Sequence, residues 1–255
     1  MSLPDAAIAC ARIVERGDAL RFRTVMAAPV RARATLFALY AFNVEVSRAP
    51  WVTQEAMIAE MRLQWWRDAL QEIAEGQAVR SHEVTTPLAD VIAPDTAAML
   101  DALVAARRWD IYRDAFEDAA HFDAYLDETA GHLMWAAARS LGAPDAVEAS
   151  VRDLAFAAGV AAFLRAVPAL ADAGRIPLMV GTPDGVRGLA QRALGRLIRP
   201  RVPAAARAAL WPAIGSRATL QQVTRDPMAV AEGRLRPGVP PTRLSASALT
   251  GRLWL

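Results

Sequence analysis

The sequence predicts an all-α protein built as a single domain over residues 1–255. Two observations carry that prediction. Apolar residues recur at helical spacing almost throughout, and strand-like alternation never persists. Proline and glycine fall where helices would stop or start, and no repeat or Ser/Gly-rich linker divides the chain.

The elements follow in order. Val30–Ser47 places Leu36, Leu39, Tyr40, Asn43 and Val46 on one helical face, and Pro50 ends the helix because its ring disfavours α geometry in the preceding residue. Thr53 is expected to cap a second helix running to about Glu75, with Met57, Met61, Gln64, Trp65 and Leu70 inward and Gly76 as its stop. Of the adjacent pair, Trp65 is read as core and Trp66 as a helix contact. A connection containing Pro87 and Pro94 leads to helices near Ala97–Phe116, Ala119–Ser140 and Asp145–Val167. Gly181–Gly185 is a turn before a helix reaching about Leu197. Arg199–Pro203 interrupts, Ala204–Leu210 opens another helix, and Pro237–Pro241 is a loop before a last basic, apolar segment.

Composition narrows the chemistry. All 29 basic residues are arginine, so neither a Schiff-base lysine nor a phosphate-loop lysine exists. The single cysteine, Cys10, permits no internal disulfide and fits a reducing compartment. Residues 180–255 carry twelve Arg against three acids, a net +9, while the remainder is −7. That asymmetry suggests an anionic partner, such as a membrane surface or an acidic protein, or else a solvated surface. Few aromatics interleave with those arginines, a poor platform for stacking bases, so nucleic acid is not expected. MSLPDAAIAC lacks the basic start of a signal peptide. The longest uncharged apolar run, Leu154–Leu164, has eleven residues where a span needs about 20. These features predict a cytoplasmic protein, at most peripheral on the inner membrane face.

Four stretches, ALYAF (Ala38–Phe42), RLQWWRDAL (Arg62–Leu70), YLDETAGHL (Tyr125–Leu133) and FLRAVPALADAGRIPL (Phe163–Leu178), resemble the squalene/phytoene synthase family in order and spacing. The resemblance is strongest over residues 18–178. It implies an isoprenoid-synthase-like helical bundle with a central cavity. In catalytic members two acidic motifs hold Mg²⁺ against a prenyl diphosphate. Those motifs fall here on Ser47, Arg48 and Trp51, and on Ala166 and Leu170. Mg²⁺ takes oxygen ligands, and it absorbs the charge that develops as diphosphate leaves. Losing about 5 kcal/mol of such assistance slows the reaction roughly a thousandfold or more.

No substitute site is evident in the pattern. Asp110/Asp114 and Asp123/Asp127 have i, i+4 spacing, but spacing alone identifies nothing. Glu45 lies about 200° around the helix from Ser47. His121 and His132 are read as surface or core residues rather than a metal pair. ALYAFNVEV and LRAVP resemble a divergent branch of the family, the phytoene-synthase-like assembly factors of respiratory complex I and their alphaproteobacterial relatives. That branch lacks the acidic motifs, which implies a non-catalytic pseudoenzyme with no cofactor, assisting complex I assembly through a partner protein. Two alternatives stay open: a prenyltransferase with altered metal motifs, for which Mg²⁺ would be needed, and a module that binds an isoprenoid or other lipid without turnover. Tyr40, Asn43, Glu45, Trp65, Asp110, Arg165 and Arg175 are the candidate cavity or anion contacts. Arg165 and Arg175 are read either as remnants of a phosphate-binding cavity or as partners of Glu45 or Asp110.

Overall fold

Asp18 ends one helix and starts the next. Its N–H closes α1 (Asp5–Gly17) on the Val14 carbonyl, and its carboxylate accepts from the Arg21 N–H at 2.9 Å to cap α2 (Ala19–Ala27). The computed structural model describes residues 4–112, 114–236 and 238–255, and among them there is no strand. α3 (Val30–Arg48) is buried on every side from Leu36 to Val44, the signature of a helix at the centre of a bundle rather than on its surface.

α4 (Ala56–Ala74) begins later and faces differently than its sequence suggested. The Thr53 hydroxyl accepts from the Glu55 N–H at 3.1 Å, ordering the turn before the helix instead of capping it. The buried stripe is Ala59, Leu63, Trp66, Ala69, Leu70 and Ile73. Met57, Met61 and Gln64 are exposed and Trp65 is half-buried, so the two tryptophans exchange their expected roles. Both stripes have helical spacing, and Leu70 belongs to both. The neighbour decides: α6 (Pro94–Ala106) packs along α4, and the Phe42 ring meets Trp66 edge-on at 5.6 Å.

After the short α5 (Thr85–Ala89), α6 starts one turn before the expected Ala97 and stops ten residues before the expected Phe116. A 3₁₀ turn, Arg107–Asp110, replaces its end, because Arg107 and Asp110 turn inward to a shared partner, Tyr125. The Ala119–Ser140 helix is continuous but changes pitch. α7 (Ala119–Leu126) passes through a π turn at Asp127–Gly131 into α8 (His132–Ser140). Inside the turn, Thr129 Oγ1 donates back to the Tyr125 carbonyl at 2.5 Å. Gly159 faces this turn from α9 (Glu148–Asp172), and a Cβ there would stand 2.9 Å from Ala130 Cβ. The two helices approach too closely for a side chain.

α9 runs five residues past the expected Val167, carrying Pro168 within its length. Asp145–Asp172 is long and apolar enough to cross a membrane by length and composition, although its uncharged run is short. Here it is the core helix, packed by α7, α8, α10 (Pro183–Arg196), α11 (Ser216–Arg225) and α12 (Met228–Ala231). The helix expected at 204–210 is a 3₁₀ segment, Arg207–Ala213, lying against α2, α8 and α9. Of the expected loop 237–241, Pro237 lies outside the described residues and Pro241 already opens α13 (Pro241–Thr250). Part of the charge asymmetry is spent internally. Arg192 pairs with Asp123, and Arg196 with Asp153 at 2.7 Å, so the basic third is stitched to the acidic remainder. The tail folds back: Leu244 and Leu255 are buried, and Arg243 donates to the Leu255 carbonyl at 2.8 Å.

Candidate functional site: a central cavity without a metal cradle

α2, α3, the π turn, α9 and the 3₁₀ turn after α6 enclose a cavity of about 410 Å³. One wall is polar. Arg107 Nη1 donates to Asp110 Oδ2 at 3.1 Å and to the Tyr125 hydroxyl at 2.9 Å, and that hydroxyl donates on to Asp110 Oδ1 at 3.1 Å. Beside it Arg21 Nη1 pairs with Asp18 at 2.5 Å, and the Arg21 guanidinium carbon lies 5.4 Å from the Tyr40 ring centroid. Burial pushes the Tyr40 and Tyr125 phenols well above their ordinary range, so both stay protonated donors. The rest of the wall is mostly apolar, with Leu126, Ala130, Leu133, Met134 and Phe163 around the small Ala158 and Gly159, interrupted by Asn43, Ser47, Thr129 and Arg165.

Ser47 and Trp51 from the end of α3 and Ala166 and Leu170 from α9 line this cavity, as do Tyr40, Asn43, Asp110 and Arg165. Ser47 spends its hydroxyl on the Val44 carbonyl at 3.0 Å. Asp110 is the only carboxylate among the described lining residues, and Arg107 and Tyr125 already occupy it. Of the other acids that shared a helical spacing, Asp123 binds Arg192 and Asp127 binds Arg152, while Asp114 is exposed and does not line the cavity. Among the described residues no group of three or more His, Cys, Asp or Glu could hold a metal. His121 packs its ring on Phe116 at 5.4 Å, while His132 lies beyond the π turn in α8. Mg²⁺ needs at least one or two free carboxylates in near-octahedral geometry, and these residues do not supply them.

Three of the named positions lie elsewhere. Glu45, Arg48 and Trp65 line a separate groove, because at about 100° per residue Glu45 and Arg48 turn away from Ser47. Glu45 accepts from Arg48 at 3.0 Å and meets neither Arg165 nor Arg175. Arg175 is a fourth: it lines another hollow beside Pro50, Trp51 and Ala173, its guanidinium 4.8 Å from the Trp51 ring centroid, and it donates to the backbone carbonyls of Trp109, Asp110 and Tyr112. Arg165 donates to Thr219 Oγ1 at 3.2 Å and, among the described residues, has no carboxylate in ion-pair reach. Its burial pushes its pKa down. Sequence reasoning missed Arg21, Arg107 and Tyr125. The i, i+3 pairs Asp18–Arg21 and Arg107–Asp110 were the signals for the two arginines, and Tyr125 stood at the head of the YLDETAGHL stretch.

A model of the family described as squalene/phytoene synthase matches residues 14–179. The chain belongs to the squalene/phytoene synthase family. It is 31% identical over 189 residues to a Drosophila melanogaster protein named NADH dehydrogenase (ubiquinone) complex I, assembly factor 6 homolog, covering 69% of this chain and 56% of that one. The human protein named NADH dehydrogenase (ubiquinone) complex I, assembly factor 6 is 23% identical over 172 residues, covering 62% and 48%. The chain thus spans about half the length of the curated relatives it matches. A dehydrosqualene synthase solved in complex with ligand superposes with a TM-score of 0.72 at 17% identity over 86% of each chain, which makes the fold an all-α isoprenoid synthase fold.

Proposed function

We propose that this chain acts in the assembly of respiratory complex I as a synthase-fold protein that transfers no prenyl group. The observation that carries this reading is the cavity wall. Where family enzymes place metal-binding carboxylates, Ser47, Trp51, Ala166 and Leu170 face a space whose one lining carboxylate is already neutralised. The relatives named as complex I assembly factors supply the direction. On this reading the protein works through a respiratory assembly partner at the cytoplasmic face of the inner membrane.

A second reading rests on Arg165. A buried guanidinium with no carboxylate partner among the described residues, lining a cavity that is partly apolar, suits a lipid with an anionic head, bound without turnover. Deleting the gene and measuring both assembled complex I and squalene- or phytoene-type products tests the proposal. Loss of complex I with unchanged isoprenoids is expected. Loss of an isoprenoid product with intact complex I would overturn it.

A further inference from the structure

The stripe of α4 that the fold leaves outside is not a polar face. Met57 is 76% and Met61 66% exposed, one turn apart, and the next turn brings Trp65. Ile58 and Val52 are also exposed beside them. This line runs into the separate groove, about 290 Å³, floored by Trp65, Trp66 and His82 and rimmed by Val52, Arg48 and Arg62.

The floor is rigid. Its three rings pack edge-on at 4.9, 5.2 and 5.5 Å, and Arg80, held by Glu72 at 2.6 Å, lies 5.2 Å from the Trp65 ring centroid. An aromatic anchor already fixed in place loses little side-chain freedom when covered. The rim carries one uncompensated cation: Glu45 also lines the groove and pairs with Arg48 at 3.0 Å, while Arg62 is exposed and has no ion-pair partner among the described residues. Tryptophan, methionine and arginine together are the composition of interface centres. The concavity admits side chains, which a flat bilayer surface does not offer.

We propose that this groove docks an amphipathic helix of a protein partner. One apolar side chain enters the Trp65–Trp66–His82 floor, further apolar residues a turn apart cover Met57 and Met61, and a carboxylate sits between Arg48 and Arg62. This goes beyond the assembly role and holds for any partner of that chemistry.

The test places the photo-crosslinker p-benzoylphenylalanine at Met61 of the full chain in cells, with Arg225, exposed on α11, as the control position. Adducts at Met61 above the control, mapped to a helix carrying apolar residues and an acid, are expected. Arg62→Glu, checked for an unchanged melting temperature, lowers their yield about tenfold, and changing the mapped acid to Arg restores it. Adducts to lipid or to a second copy, none above control, or a yield indifferent to either charge change overturns the proposal. A partner unconnected with the respiratory complex leaves the groove standing and counts against the assembly role. Loss of complex I on gene deletion without Met61 adducts does the reverse.

Discussion

Removing Asp110 should expose how the polar wall of the cavity is held. Its side chain is 6% exposed and that of Arg107 19%, and both carboxylate oxygens accept hydrogen bonds. Asp110→Ala leaves the Arg107 charge buried with only the Tyr125 hydroxyl as partner. Stranding one member of a buried pair costs about 3–5 kcal/mol, whereas replacing both with apolar groups is often neutral. For a chain of this size about 1 kcal/mol moves the melting temperature by roughly 2–4 °C. Calorimetric melting should therefore fall by about 6–20 °C in Asp110→Ala and recover by more than half in Asp110→Ala/Arg107→Met. Tyr125→Phe alone should cost about 1–3 kcal/mol, since it removes a shared donor and acceptor from a buried site. A fall of less than about 2 °C in Asp110→Ala, or a double variant no better than the single, would refute this account of the wall.

Three further outcomes follow from the same structure. Isothermal calorimetry with Mg²⁺ and a non-hydrolysable prenyl diphosphate should show no cooperative binding, since Ser47, Trp51, Ala166 and Leu170 offer no carboxylate; tight binding of the pair would reveal a metal site elsewhere. Burial and then Arg152 push the His132 pKa below its ordinary 6.5, so the unfolded chain binds the extra proton first. Stability should consequently fall as pH drops below about 6.5, and His132→Gln should flatten that slope in urea titrations; an unchanged slope would show that His132 carries none of it. Leu249 is 87% and Trp254 42% exposed near Arg252 while Leu255 is buried, so flotation with anionic liposomes should be weak, salt-sensitive and reduced by Leu249→Glu. Flotation indifferent to salt, or none, would assign the arginines to ion pairs and solvent.

The sequence by itself determined the all-α character and the course of α3, and it carried the resemblance that assigns Ser47, Trp51, Ala166 and Leu170 to the metal-motif positions. Local spacing and proline placement depend on neighbours along the chain, so α3 emerges within a residue of expectation and α10 ends within one, although α10 already starts at Pro183, inside the expected turn 181–185, because Thr182 caps it there. The absent acids needed only the order of four motifs. What surrounds a residue was another matter. α4 carried two apolar stripes, and only the position of α6 and Phe42 chose Leu63 and Trp66 over Met61 and Trp65. Asp110 was visible as a candidate, but its neutralisation depends on Arg107 turning inward and Tyr125 arriving from another helix. Arg48 was placed in the lost motif and Glu45 among the cavity contacts, yet helical phase sends both to a different groove. Periodicity states which faces are apolar; which of them is buried, and which is left for a partner, depends on what packs against each face.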